Sequence, residues 1–374
     1  MSATKIIHVT AYYPPHLGGQ EIAVKDLVTQ LKAADVEVEV VTSDLASTRG
    51  TNVEDGILIT RLKSTEISHT AIIWSLLFWL IRNARKGAVV HLHTGQLFTP
   101  EVVWLASKIV RFNYIIHFHA ELVPSSAMGR LLPLYKKFFL SRAIRGATVA
   151  VVINEDHRRE IMQEYPSVKD VLVISNGVTD DFFLVPRESD SQVRRLLFVG
   201  RLSAHKNVAT LLQALELVDK TLGLDIIGDG ECRLQLEHLV NAKGLCNVRF
   251  YGQLSRDEIK RFYSTCSAFV LPSTVEVQGI VLLEAMACRV PIIVTEASGL
   301  AKIIDDVSIL VKPTVQGIAN GLKTFNAMST YDAELMANKA FERVQQFSWA
   351  TLLKRYMDLY KAVGTDRRGQ QPWG

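Results

Sequence analysis

The run Val149-Ala150-Val151-Val152-Ile153 is apolar at every position. A strand that shows no alternation is buried on both faces, which is the condition of a parallel sheet covered by helices on either side. Short β-branched runs of the same kind recur at Lys5–Val9, Val36–Thr42, Ile57–Leu62, Ala88–His93, Tyr114–His119 and Val171–Ser175. Several of the segments between them are long enough for a crossover helix, so a parallel α/β sheet is the economical reading. The second half repeats the plan at Leu196–Val199, Leu224–Ile227, Val248–Tyr251, Ala268–Leu271, Ile292–Thr295 and Ile309–Val311. Between the halves lies Phe182–Arg195, a polar connector with Pro186 and Arg187-Glu188-Ser189-Asp190-Ser191. The expectation is two doubly wound domains, 1–185 and 186–348, facing one another across a cleft. The apolar spacing of Trp349–Val363 predicts a helix able to pack on either domain, and the tail 364–374 is expected to be disordered.

Composition agrees with this plan. The chain has 374 residues, a length that suits two domains, and its 48% hydrophobic content excludes wholesale disorder. Lys plus Arg number 42 against 38 Asp plus Glu, a net charge of +4, too small to imply a nucleic-acid binder. Cys232, Cys246, Cys266 and Cys288 show no Cys-x-x-Cys spacing and no histidine clustered beside them, and Cys246 and Cys266 read as small core residues and not as a metal site. The start, Met1-Ser2-Ala3-Thr4-Lys5, lacks the pattern of a signal peptide. The longest apolar stretch, Ala71–Ile81, is broken only by Ser75 and falls short of the roughly 20 residues that span a bilayer. A cytoplasmic protein without a transmembrane helix is expected.

Ligands of parallel sheets sit beyond the carboxyl ends of the strands, so the strand-exit loops carry the chemistry. Tyr12-Tyr13-Pro14-Pro15-His16-Leu17-Gly18-Gly19-Gln20-Glu21 follows the first strand, and its paired glycines let backbone N–H groups approach an anion at a helix start. An ordinary turn carries the same signals. Gly-x-Gly-x-x-Gly is missing there, and also at Gly228-Asp229-Gly230, which disfavours a dinucleotide enzyme. Val199-Gly200-Arg201 leads on to Lys206-Asn207. An Arg fork and a Lys ammonium at one strand exit suit a diphosphate, although a solvated pair is the alternative. In Pro272–Ala287, Glu276 precedes a helix and Glu284 interrupts its apolar run. An acid at a helix start is stabilising in itself. Glu284, in contrast, needs a partner, and sugar hydroxyls would serve.

Together these segments resemble a retaining nucleotide-sugar glycosyltransferase of the GT-B fold, family four, the group 1 glycosyl transferases, which includes lipopolysaccharide, capsule and phosphatidylinositol mannosyl transferases. The resemblance runs from Lys5 to about Val363 and includes His91-Leu92-His93, His119, Asn176-Gly177-Val178 and two glutamates separated by seven residues, with Ala-Met-Ala after the second. It implies that Arg201 and Lys206 hold the donor diphosphate, that Glu284 binds the ribose hydroxyls, and that Glu276 touches the transferred sugar. It places the backbone of Gly279, Ile280 and Val281 near phosphate or sugar, and Gln253 and Leu254 along the nucleobase. Gly18 and Gly19 fall near the diphosphate and acceptor, His119 near the transferred sugar, and the helix from Trp349 back on the first domain. His119, Glu276, Arg201 and Lys206 are thus the implied catalytic set. His91 and His93 read as mainly structural. The chain departs from the family pattern at Gln278, where Phe is usual, at Arg289, and at Lys302, where Glu is usual.

No Asp-x-Asp occurs in the chain, so metal-independent catalysis without a cofactor is expected. Gly129–Arg145 carries Arg130, Lys136, Lys137, Arg142 and Arg145 with no acid and with interleaved apolar residues. Such a helix either lies on an anionic membrane or packs its apolar stripe on the sheet. The stretch Ile72–Ile81 is apolar all round and so either deeply buried or partly lipid-facing. The leading expectation is hexose transfer from a UDP- or GDP-sugar to a lipid-linked glycan, peripherally at the inner face of the cytoplasmic membrane. Alternatives are a soluble acceptor, a silent nucleotide-sugar-binding subunit, and an epimerase on a related scaffold.

Overall fold

The structure is a computed structural model that describes residues 5–365 apart from 17, 68–69, 86, 95–96, 120–131, 169, 189–193, 219–221, 298 and 300. The expected tail from 366 onward and the start of the basic helix, 129–131, lie outside the described residues. The chain forms two compact units, Met1–Ser175 with Ala350–Gly374, and Asn176–Trp349.

In the first unit the strands are β1 (Ile6–Val9), β2 (Val38–Ser43), β3 (Gly50–Glu54), β4 (Ile57–Leu62), β5 (Ser64–Ile67), β6 (Thr70–Ile73), β7 (Val89–Thr94), β8 (Asn113–Phe118), β9 (Val149–Val152) and β10 (Val171–Val173). Eight of them build one sheet in the order β10-β9-β8-β7-β1-β2-β4-β3, parallel except where β3 pairs antiparallel with β4. One face is apolar: Ile7, Val9, Val90, Leu92, Ile116 and Val152 sit in a single core. The apolar stretch from Ile72 divides. Its first residues close the hairpin β5–β6, exposed Trp74 follows, and Leu76–Asn83 is a short helix that buries Leu76 and Leu80 and leaves Phe78 exposed.

In the second unit β11 (Arg195–Val199), β12 (Gly223–Ile227), β13 (Val248–Gly252), β14 (Ala268–Leu271), β15 (Ile292–Thr295) and β16 (Ile309–Val311) form an all-parallel sheet ordered β13-β12-β11-β14-β15-β16. The units divide at Ser175, before the connector expected at 182–195. Val178 and Phe182 are fully buried in the second core, and the Val178 N–H bonds the Phe347 carbonyl. Helix Trp349–Gly364 belongs to the first unit beyond Trp349. Within that unit Arg355 donates to the Val173 carbonyl at 2.6 Å and Asn113 to the Val363 carbonyl at 2.7 Å.

Candidate active site

In a doubly wound sheet the ligand crevice opens where the strand order reverses. In the second unit β11 is that strand, with β12 on one side and β14 on the other. The loops leaving β11 and β14 therefore lie side by side and are tied together. Thr274 N–H bonds the His205 carbonyl at 2.8 Å, and Asn207 Nδ2 bonds the Pro272 carbonyl at 3.0 Å. Asn207 adopts a left-handed conformation (φ 58°) that turns the chain into helix Val208–Leu215. This tie delivers Lys206 Nζ to Glu276 Oε2 as an ion pair, with 17% and 11% of the side chains exposed. Ser273 Oγ also donates to that carboxylate at 3.4 Å, and the Glu276 carbonyl accepts the Gly299 N–H at 2.6 Å. One basic and one acidic group from distant sequence positions thus meet beyond the carboxyl ends of adjacent strands.

Backbone packing shapes the floor of this region. A Cβ on Gly228 would sit 2.0 Å from the Gly200 carbonyl oxygen, and one on Gly230 would sit 2.5 Å from that of Leu202. The β11 and β12 exits are therefore pressed together at glycines, whose N–H groups are held by Ile227, Gly252 and Asp229. Arg201 projects from the same loop. Its side chain is 67% exposed and pairs only loosely, at 3.5 Å, with Glu231.

Glu284 is buried in helix Ile280–Ala287. The partner that a carboxylate in so apolar a stretch requires is supplied by the protein. Arg256 Nη2 donates to its Oε1 at 2.8 Å, and Tyr263 Oη reaches Oε2 at 3.4 Å. Sugar hydroxyls are not needed to satisfy it. Burial raises the Glu284 carboxyl above the ordinary range, opposed by Arg256. Neither Arg256 nor Tyr263 carries a sequence signal of this role; only the fold of the helix Arg256–Thr265 against Ile280–Ala287 brings them there. Gln278, which stands where Phe is usual, is buried and accepts the Asn176 N–H at 2.7 Å, so it anchors the first residues of this unit. Gly279 is the N-cap of the Glu284 helix, with Ile280 buried and Val281 packed on the core. Gln253 is exposed after β13, and Leu254 packs against the core.

In the first unit, Gly18 caps helix Gly19–Ala33, and the nearby anion is the chain's own Glu21. Its Oε2 would lie 2.3 Å from a Cβ on Gly18, and its Oε1 meets His16 Nδ1 at 3.1 Å. Gly19 has open space where a Cβ would stand. His119 follows β8, its Nε2 2.9 Å from His93 Nδ1. His93 Nε2 in turn meets His8 Nδ1 at 2.9 Å, and His91 Nε2 meets His117 Nδ1 at 3.2 Å. Burial holds the His8 and His119 imidazoles down at about 3 and those of His91, His93 and His117 well below the usual value, so all five rings are neutral. Among the described residues, His8, His91 and His93, and His93, His117 and His119, are the groups close enough to share a metal ion. Sequence spacing shows the pairs within β7 and β8, but His8 joins them only through the parallel register of β1 and β7.

Comparison with known proteins agrees with this geometry. Residues 18–177 match the family described as "Glycosyl transferase 4-like domain", and residues 182–341 match "Glycosyl transferases group 1". The chain belongs to the group 1 glycosyltransferases. It is 27% identical to the uncharacterized glycosyltransferase MJ1607 of Methanocaldococcus jannaschii, over 96% of this chain and 98% of that one. It is 24% identical to the GDP-mannose:cellobiosyl-diphosphopolyprenol alpha-mannosyltransferase of Xanthomonas campestris, over 97% and 98% of the two chains. Its fold matches the crystal structure of Anabaena Alr3699/HepE in complex with UDP-glucose, with a TM-score of 0.78 at 18% identity, covering 96% of this chain and 99% of that one. The architecture is the GT-B fold, and the protein is a nucleotide-sugar glycosyltransferase.

Proposed function

We propose that the protein is a retaining, metal-independent hexosyltransferase that moves a sugar from a UDP- or GDP-linked donor to a hydroxyl of a lipid-linked glycan. The observation that carries the donor half is the meeting of Lys206 and Glu276 at the point where the second sheet reverses its strand order. In the free enzyme Glu276 neutralises Lys206 and holds it extended. A donor diphosphate draws the ammonium and the exposed Arg201 fork onto its oxygens, which leaves Glu276 as an acceptor for sugar hydroxyls. The Gly279 N-cap and the amides of Ile280 and Val281 add helix-terminal donors. The charge that develops on the leaving diphosphate is met by fixed cations and amides, which is why no metal is required. Glu284, oriented by Arg256 and Tyr263, forms the wall that accepts from the ribose hydroxyls, and Gln253 and Leu254 border the base. Gly18, Gly19 and His119 are assigned to the sugar and acceptor side. Retention follows if the acceptor hydroxyl attacks from the leaving-group face and a phosphate oxygen takes its proton.

The lipid-linked acceptor rests on a surface of the first unit. Trp74, Phe78, Leu134, Phe138 and Phe139 are all exposed. Helix Leu76–Asn83 packs on Thr99–Val110, which packs in turn on the helical segment Lys136–Gly146, so these side chains rise from neighbouring elements. Lys137 and Arg142 stand among them, while Lys136 is paired with Glu164. Exposed aromatics rimmed by cations suit the interface of an anionic bilayer. No helix among the described residues is long and apolar enough to cross a membrane. The relative from Xanthomonas is named for a polyprenol-linked acceptor. Incubation with UDP- and GDP-hexoses and a polyprenyl-diphosphate glycan is expected to release the nucleoside diphosphate and yield an α-linked product, undiminished by EDTA. Loss of turnover in EDTA with rescue by magnesium or manganese refutes the metal-independent step. Binding without any released diphosphate points to a silent subunit.

A further inference from the structure

The first unit holds a histidine constellation of which the proposed function uses His119 alone. The parallel register sets His8 beside His91 and His93 beside His117. Residues two apart on a strand share a face, so these rings and His119 gather on the face of the sheet opposite Ile7, Val90 and Leu92. Ring centroids of His93 and His119 are 5.1 Å apart, and those of His117 and His119 4.1 Å. One ring nitrogen from each of His93, His117 and His119 lies within 4.8 Å of the others. The closest pair, His93 Nδ1 and His119 Nε2, stands at 2.9 Å. Metal–nitrogen bonds of ~2.0–2.1 Å at tetrahedral angles separate two ligands by roughly 3.4 Å, so an ion requires this pair to open by about half an ångström and any wider pair to close.

The far sides of two rings are already held as metal ligands require. His93 Nε2 meets His8 Nδ1, His117 Nδ1 meets His91 Nε2, and His91 Nδ1 meets Tyr360 Oη at 2.7 Å. A ligating imidazole donates its other N–H to such a partner, which fixes tautomer and orientation. One tautomer set frees three ligand nitrogens, at the loss of the His93–His119 hydrogen bond, which the ion replaces. His93 carries its proton on Nε2 and donates to His8; His117 carries its proton on Nδ1 and donates to His91; His91 donates to Tyr360. With the His119 proton on Nδ1, three bare nitrogens remain: His93 Nδ1, His117 Nε2 and His119 Nε2. His117 Nε2 is buried without a hydrogen-bond partner among the described residues, a cost that an ion there relieves, whereas His8 Nε2 and His119 Nδ1 are unpartnered in either state. The other trio fits less well, because both nitrogens of His91 are already engaged there.

We infer that His93, His117 and His119 form a three-histidine site for a divalent transition ion of the zinc type, with His8, His91 and Tyr360 as the layer that orients the ligands and a fourth position left for water. A purely imidazole donor set favours zinc, cobalt, nickel or copper over magnesium and calcium. The rings are neutral, so the ion binds by exchange of tautomers without expelling a proton from the protein. An ion held here engages His119, and the consequence that it inhibits sugar transfer rests on the placement of His119 proposed above; the site itself does not.

The full-length protein, stripped with chelator and desalted, is titrated with Co2+ and followed by visible absorption. One equivalent is expected to give the intense ligand-field bands of tetrahedral nitrogen coordination, and one equivalent of Zn2+ to erase them. His117→Gln, shown by its melting curve to be folded, is expected to lose the bands, and His8→Gln to weaken Co2+ affinity about 10- to 100-fold. Should His117→Gln fail to fold, His119→Gln at the strand end replaces it. Folded wild-type protein without these bands overturns the site. Bands that persist in the folded ligand variant overturn it too, since exposed His205 or His238 then binds the ion instead. Neither result bears on the donor reading, which is tested by nucleotide binding.

Discussion

Lys206 and Arg201 stand five positions apart on one loop, but the structure gives them different work. Lys206 is largely buried against Glu276, whereas Arg201 is mostly exposed and only loosely paired. Lys206→Ala is therefore expected to lower affinity for the nucleoside diphosphate about 10- to 100-fold, the value of a charge-assisted contact of ~1.5–3 kcal/mol. Arg201→Ala is expected to cost less in affinity and more in kcat, because an exposed, loosely paired fork contributes most to stabilising the charge that develops on the leaving diphosphate. Isothermal titration with UDP and GDP beside steady-state kinetics separates the two. Glu284 supplies a pH prediction. Burial raises its carboxyl above the ordinary value against the opposing pull of Arg256. A carboxyl raised in the folded state holds its proton over the window above its unfolded value. Its contribution thus favours folding below that window and is lost as pH rises through it. The stability of the wild type relative to Glu284→Gln, read from melting curves, is expected to fall as pH rises above the ordinary carboxylate range. A constant difference contradicts the assignment.

The elements show why part of this site was legible in sequence and part was not. Short β-branched runs announced the parallel strands of both sheets, and no tertiary information is needed to see that Val149–Ile153 avoids water. Gly50–Glu54 escaped notice because it is exposed at every residue and owes its extended form to pairing with β4. Of the hairpin, polar β5 is mostly exposed, and β6 hid in the start of an apolar stretch whose period did not distinguish strand from helix. At the site, Arg201, Lys206, Glu276 and Glu284 stood at strand exits or broke an apolar run. Arg256, Tyr263 and His8 gave no such signal, because their roles come from packing and register alone. Glycines mark where elements meet. Gly228 has φ 129°, and a Cβ there would strike the Gly200 carbonyl. Gly228→Ala is expected to destabilise the second unit by several kcal/mol and to weaken nucleotide binding by displacing the Arg201 loop. Gly177→Ala, whose Cβ would meet the Trp349 indole at 2.6 Å, is expected to cost ~1–3 kcal/mol while leaving nucleotide affinity intact. Chemical denaturation and calorimetry on the two variants check the contrast.

At the scale of the whole molecule, a net charge of +4 says little, and its placement says more. Cations gather at the reversal point of one sheet and beside the exposed aromatics of the other unit. Co-sedimentation with anionic vesicles at low salt is expected for the wild type. It should diminish in a Phe138→Ser, Phe139→Ser double variant and with rising salt, as surface electrostatics are screened. Soluble behaviour under all these conditions contradicts the membrane half of the proposal and leaves the donor half standing. The central claim is that Lys206, paired with Glu276 in the free enzyme, is the residue that holds the donor diphosphate. The most direct measurement is calorimetric titration of UDP and GDP into wild-type and Lys206→Ala protein of matched fold. Saturable binding of one nucleotide to the wild type, with affinity at least about tenfold weaker in the variant, is the predicted result. Equal affinity in the two proteins would contradict it.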